Sequence, residues 1–175
     1  MLSKVFANKA CSDAIIKISE GDMNGLTVVY DQLGRQIFSL AMSVLNNYSD
    51  AEDAMQDTFL RIARYAKNYD PAGNARAWIM AIARNAAVDT ARRREIPSSG
   101  EPVYENAQAR GDFTEVIEVN ALLAALPESE RQIVVLKAVD GSSYREIGEI
   151  MGITPEAARK KYERAIALLK EKGGF

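Results

Sequence analysis

The chain has 175 residues, 47% hydrophobic and 26% charged, with a net charge of −2; this is the balance of one folded domain or two small ones, not of a disordered segment. It contains no histidine and a single cysteine, Cys11, which excludes imidazole-based catalysis, the usual Cys/His zinc sites and an internal disulfide. No enzyme, cofactor or metal is expected, and with no apolar run near ~20 residues and no signal-peptide core in residues 1–9, neither is membrane insertion. A cytoplasmic location is expected. Overall acidity disfavours long-range attraction to DNA, so any nucleic-acid contact has to come from local basic patches.

In chain order, helical periodicity and breakers predict helices over residues 12–20, 24–45, 50–67 and 75–94. After a break they predict four more, over 114–126, 128–139, 143–151 and 155–171. The break, EIPSSGEPVYENAQARGDF (residues 95–113), holds prolines, glycines and paired serines without helical period and reads as a flexible linker. The expected fold is all-α: a four-helix domain over 1–94, the linker over 95–113, and a helix-turn-helix domain over 114–175.

On a helical wheel, Ala51, Ala54, Met55, Thr58, Phe59, Ile62, Tyr65 and Ala66 fall on one face of the third helix, which should be its core face. The opposite face holds Glu52, Asp53, Gln56, Asp57, Leu60 and Arg64. The acids Asp50, Glu52, Asp53 and Asp57 suit either a solvated helix start, where the helix dipole favours negative charge, or docking on a basic protein surface around an exposed Leu60.

The fourth helix follows a loop containing Tyr69 and Asn74 and carries Trp78, Arg84, Asn85, Arg92, Arg93 and Arg94. Trp78, Asn85, Asp89 and Arg92 fall within roughly 60° of one another. An aromatic, an amide and arginines on neighbouring surfaces can stack an unpaired base, read its edge and hold its phosphate. Equally, Trp78 can anchor the core, and terminal arginines can complement the helix C-terminus.

SSYREIGEIMGITPEAARKKYERAIALLKEK (residues 142–172) has the layout of a DNA-reading helix pair. Ser143 and Glu146 form a capping box, residues 152–154 make the turn, and Thr154 caps the second helix with Pro155 at its first position. Glu156, Arg159, Lys160, Lys161 and Arg164 lie outward or at the border, a local basic cluster suited to phosphates and base edges.

Three segments together, DAEDAMQDTFL (residues 50–60), WIMAIARNAAVDTARRR (residues 78–94) and the terminal helix pair, resemble a bacterial RNA polymerase sigma factor of the extracytoplasmic-function group over nearly the whole chain. The resemblance implies a promoter-specificity factor in which residues 1–94 form a region 2-like domain and residues 114–175 a region 4-like domain. By the same resemblance, Asp50, Glu52, Asp53, Gln56, Asp57 and Leu60 would dock on the largest-subunit clamp of core RNA polymerase. Tyr69, Asn74, Trp78 and Asn85 would recognise and open the start-proximal promoter element, with Arg92 and Arg93 on its backbone. The last helix would read the upstream element through Arg159, Lys161 and Arg164, flanked by Glu156 and Lys160. Glu156 and Ala157 depart from a common Gly-Thr pair and Ile166 from a frequent arginine, so Glu156 either reads a cytosine edge or weakens binding.

Core polymerase, promoter DNA and an anti-sigma protein are the implied partners. The alternative is a two-domain helix-turn-helix regulator that binds duplex DNA without polymerase. Packing of the two domains on each other would be expected to mask both DNA surfaces. The linker acids Glu101, Glu105 and Asp112 would compete with DNA for basic surfaces.

Overall fold

The computed structural model describes residues 2–95 and 113–173; most of the expected linker, including Glu101, Glu105 and Asp112, lies outside them. Among the described residues there are eight α-helices and no strand. α1 (Leu2–Ser19), α2 (Gly25–Leu45), α3 (Tyr48–Tyr65) and α4 (Ala75–Glu95) form the first group, with a 3₁₀ turn, Ala66–Asn68, between α3 and α4. α5 (Thr114–Leu123), α6 (Glu128–Val134), α7 (Tyr144–Met151) and α8 (Pro155–Gly173) form the second.

Local chemistry explains most of the boundaries. Asn46 adopts the left-handed conformation (φ 48°) and its N–H closes α2 on the Met42 carbonyl. Asn47 then caps α3, its Oδ1 accepting from the Asp50 N–H at 3.0 Å, so α3 begins two residues before the expected Asp50. Asn74 caps α4 through the Ala77 N–H at 3.1 Å. Ser143 and Glu146 make the expected capping box on α7, and Thr154 Oγ1 accepts from the Ala157 N–H at 3.1 Å at the start of α8.

The differences have tertiary causes. α1 starts ten residues earlier than its periodicity predicts, because its first turns rest on other elements: Asn8 Oδ1 accepts from the Arg76 N–H at 3.1 Å and Lys4 bonds the Gly141 carbonyl. α5 stops at Leu123, short of Pro127, which disfavours helical backbone just before it. The expected helix over 128–139 divides into α6 and a π-helical segment, Val135–Val139. This widening closes with the Asp140 N–H on the Val135 carbonyl at 3.0 Å and brings Asp140 against Arg76.

Ile15, Leu33, Ile37, Phe38, Leu40, Ile62, Ile79 and Met80 are fully buried among the first four helices. That core does not end there. Val116, Ile133, Leu136, Ile147, Ile150 and Ala158 from the second group join the same cluster. α7 lies on α4, while α5, α6 and the π-helical segment lie on α2. A smaller cluster of Leu123, Leu126, Val134, Val135 and Ala165 holds α5 and α6 to α8. The two helical groups are therefore in direct contact. α6 and α7 are short, and their apolar faces are wider than their own group covers, so the first group supplies the remaining burial.

Gly148 in α7 was not singled out by the sequence, and it is the tightest point of the helix-turn-helix. A Cβ there would lie 2.6 Å from the Ile153 carbonyl oxygen and 3.3 Å from the Pro155 nitrogen. Gly148→Val is expected to cost about 2–3 kcal/mol through overpacking against backbone that cannot yield. Thermal unfolding followed by circular dichroism measures it. A melting temperature unchanged within error would refute the close approach.

Candidate nucleic-acid interface

The outward face of α3 divides in two. Leu60 is 70% exposed in the middle of it. Glu52, Asp53 and Gln56 are exposed beside it with no ion pair or hydrogen bond among the described residues. Asp50 and Asp57, in contrast, are engaged. Arg94 Nη1 lies 2.5 Å from Asp50 Oδ2, a charge contact without hydrogen-bond alignment. Arg61 bridges Asp57 (2.9 Å) and Asp89 (2.7 Å). Burial opposes the Arg61 charge, but those two carboxylates outweigh it and hold its pKa above the ordinary value. The available patch is thus an exposed leucine ringed by two acids and an amide. Tyr65, expected on the core face, is instead 40% exposed. α3 ends there and the chain turns into the 3₁₀ segment, so the wheel no longer describes its direction.

The second constellation surrounds the start of α4. Tyr69 is only 8% exposed; its hydroxyl lies 3.0 Å from Ser12 Oγ and 3.3 Å from the Gly73 carbonyl, and its ring is 5.3 Å from that of Trp78. Trp78 is half-buried and lines an open pocket of about 250 Å³ with Tyr69, Asp70, Gly73, Asn74, Ala77 and Ala81. Glu149 of α7 completes the wall. Asn74 uses both ends of its amide, capping α4 with its oxygen and donating from Nδ2 to Glu146 Oε1 at 2.6 Å. Further along α4, Asn85, Arg92 and Arg93 are exposed, and Arg93 also bonds the Thr90 hydroxyl at 3.0 Å. Arg84 is half-buried, its Nε donating to Gln132 at 2.7 Å. Burial, which Arg92 reinforces and Glu128 opposes, lowers its pKa.

The third is α8. Glu156, Arg159, Lys160 and Arg164 are exposed. Glu156 pairs with Lys160 (3.1 Å) and Arg159 with Glu163 (2.9 Å), both one helical turn apart. Lys161 is drawn inward to Ser129 (3.0 Å) and Glu130 (3.7 Å), and Arg164 lies 3.8 Å from the same carboxylate. Burial pushes the Glu130 carboxyl up, but the Ser129 hydroxyl, Lys161, its own backbone and Arg164 together hold it below the usual carboxylate range. The expectation that both DNA surfaces would be masked is corrected here. Glu149 of α7 borders the Trp78 pocket without closing it, and the basic residues of α8 other than Lys161 remain exposed, because the second group contacts the first mainly through α5, α6, the π-helical segment and α7.

Three functional-looking residues escaped the sequence reading. Arg76 is 8% exposed and its Nη2 donates to both the Asp140 carbonyl (3.0 Å) and the Asp140 carboxylate (2.5 Å). Asp140 had read only as a breaker, and Glu130 only as part of a helix. The single signal was a charged residue between Ala75 and Ala77 at the start of a mostly apolar helix. Cys11 is fully buried, and burial, opposed by Arg76, pushes its thiol up to about 11, the state of an inert packing group. Among the described residues no helix is long and apolar enough to cross a membrane, and no cluster of metal-ligating side chains occurs.

Models of two protein regions match this sequence: Sigma-70 region 2 over residues 29–95 and Sigma-70 region 4 over residues 117–169. CarQ, an RNA polymerase sigma factor of Myxococcus xanthus, is 36% identical over 134 residues, covering 73% of this chain and 77% of the relative. The extracytoplasmic-function sigma factor SigE of Mycolicibacterium smegmatis is 30% identical over 162 residues, covering 81% of this chain. This chain spans 60% of that relative's length. In fold, the chain is similar to CnrH as solved with the cytosolic domain of CnrY, with a TM-score of 0.71, 24% identity and coverage of 94% and 96%. It is also similar to the sigma factor RpoE solved with the anti-sigma factor NepR from Bartonella quintana, with a TM-score of 0.60, 23% identity and coverage of 77% and 88%.

Proposed function

Because this chain belongs to the extracytoplasmic-function group of sigma-70 RNA polymerase sigma factors, we propose that its three surfaces divide the work of promoter-directed initiation among them. Residues 1–94 act as the polymerase-binding and strand-capturing domain, and residues 114–175 as the duplex-reading domain. The patch of Glu52, Asp53, Gln56 and Leu60 docks on the clamp of the polymerase largest subunit, with Asp50 and Asp57 at its edge. Trp78, with Tyr69 behind it and Asn74 and Asn85 beside it, holds bases of the start-proximal element, and Arg92 and Arg93 hold its phosphates. Arg159, Lys160 and Arg164 track the upstream element, with Glu156 and Lys161 flanking them.

No catalytic group is needed. Opening DNA costs ~1.4 kcal/mol of stacking per step, and each base received on an aromatic ring returns about 1–3 kcal/mol. The protein favours melting by binding the open form, while the core enzyme makes RNA. The work takes place in the cytoplasm beside the polymerase, and an anti-sigma protein, of the kind NepR is to RpoE, holds the factor in reserve.

The observation that supports this reading most is the pair of region matches, in order, within one chain. The test is run-off transcription with purified core polymerase on genomic promoter fragments. Specific transcripts are expected only when this protein is present. Transcripts independent of it, together with a footprint on duplex DNA by the protein alone, would favour a polymerase-independent regulator.

A further inference from the structure

We propose that Glu130 is a positioning residue for duplex binding: it holds Lys161 off the DNA backbone and leaves α8 one phosphate contact short of what its charges would supply. This rests on the reading of α8 as the duplex-reading helix and names what sets the strength of its grip.

Four cations fall between residues 159 and 164 of α8, and they are not held alike. Arg159 pairs with Glu163 at 2.9 Å and Lys160 with Glu156 at 3.1 Å, all four side chains being between 49% and 67% exposed. Exposed pairs of this kind contribute little, and a phosphate can replace either carboxylate without stranding a charge away from water. Arg164 is 68% exposed and approaches Glu130 only to 3.8 Å. It too is free to swing towards DNA.

Lys161 is the exception. Its Nζ donates to Ser129 Oγ at 3.0 Å and lies 3.7 Å from Glu130 Oε1. The partner carboxylate is buried, with the Glu130 side chain 5% exposed. Ser129 joins the two, donating to Glu130 Oε2 at 2.6 Å while it accepts from Lys161. Burial pushes the Glu130 carboxyl up, but the Ser129 hydroxyl and the nearby cations hold it below the usual carboxylate range, so its charge persists at neutral pH. Depriving a buried carboxylate of its cation is strongly unfavourable. Once Arg164 is drawn to DNA, Lys161 is the cation that has to stay.

Glu130 cannot retreat either. Leu126, Val134 and Ala165 share a buried cluster that fixes α6 against α8. The restraint lies wholly within the second domain and acts whatever that domain packs on. Phosphate contacts carry no sequence information, so the withheld lysine lowers only the sequence-independent part of the grip.

The test compares the parent with Glu130→Gln, each assembled with core polymerase, by fluorescence anisotropy on two labelled duplexes. One carries the upstream element of a promoter that the parent holoenzyme transcribes; in the other that element is scrambled. Glu130→Gln removes the charge but keeps the side chain's size and an acceptor for Ser129. Both duplexes are expected to bind about fivefold tighter at about 50 mM salt, with a slope of log affinity against log salt steeper by about 0.9, as for one more phosphate neutralised. The gain then shrinks about 3.5-fold by about 200 mM salt. A merely structural role would not move the slope.

Lys161→Ala separates the freed lysine from the simple loss of a negative charge near DNA. It should erase the gain in Glu130→Gln, lowering affinity there about fivefold more than it does in the parent. Ser129→Ala, at a half-buried position, removes the Lys161 hydrogen bond and should give a smaller gain, also with a steeper slope.

An unchanged slope in Glu130→Gln, a gain confined to the intact upstream element, or an equal effect of Lys161→Ala in both backgrounds overturns the proposal. Should Glu130→Gln not fold, an unchanged slope in Ser129→Ala does the same. Any of these results beside a parent holoenzyme that transcribes sinks the role of Glu130 alone. A parent that directs no transcription sinks the sigma reading beneath it.

Discussion

Asp53→Lys combined with Leu60→Asp is expected to abolish co-purification with core polymerase and to lower core affinity on the order of a hundredfold, without lowering the melting temperature. The two side chains are exposed on α3, about two turns apart, and make no side-chain ion pair or hydrogen bond among the described residues. The fold has little to lose from their replacement.

A docking surface built on them has much to lose. An apolar anchor at the centre of an interface contributes about 2 kcal/mol or more. A reversed charge facing a basic partner turns attraction into repulsion and slows encounter. Asp50→Asn serves as the internal comparison, because Asp50 faces Arg94 and should weaken core binding far less. Pull-down with core enzyme and fluorescence anisotropy of labelled protein both read the effect. If the double variant bound core as the parent does, α3 would not be the docking helix.

Phe38→Ala is expected to destabilise the fold severely. Phe38 is fully buried in α2, stacked on Phe113 at 4.3 Å with 27° between the rings and edge-on to Tyr48 at 5.3 Å. Removing a buried phenyl ring forfeits its transfer free energy and leaves a cavity, together about 3–5 kcal/mol. For a chain of this length that corresponds to a fall in melting temperature of about 6–20 °C. Because Phe113 immediately precedes α5, the substitution also loosens the second helical group from α2. Calorimetry should therefore show one broadened, lowered transition. A melting temperature within about 2 °C of the parent would mean that the stack carries no load.

Most of the helices, and the caps of α7 and α8, were legible in the sequence because the interactions that set them are local. The Ser143–Glu146 box joins residues three apart, the Thr154 cap reaches Ala157, and the apolar faces of α2 and α3 follow the helical repeat. The order of the acidic helix, the arginine-ended helix and the helix-turn-helix also sufficed to point to the family. What the same letters could not reveal lies between distant segments. Arg76 meets Asp140 across 64 residues, and Asn74 meets Glu146 across 72. Lys161 turns inward to Ser129 and Glu130, which lie about 30 residues earlier. No period or spacing announces such pairs, since each partner alone reads as an ordinary surface polar residue.

The same limit explains Tyr69 and the two helical groups. The aromatic ring's place, inside the protein or out, depended on where Ser12 and Trp78 arrived. Whether α6 and α7 faced solvent or α2 and α4 depended on how much apolar surface the second group left uncovered. Composition and short-range pattern thus determined the helices and their polarity. Long-range burial decided which polar groups are engaged inside the protein and which remain free to meet a partner, because the energy of burying a charge or an apolar face depends on neighbours that only the folded chain assembles.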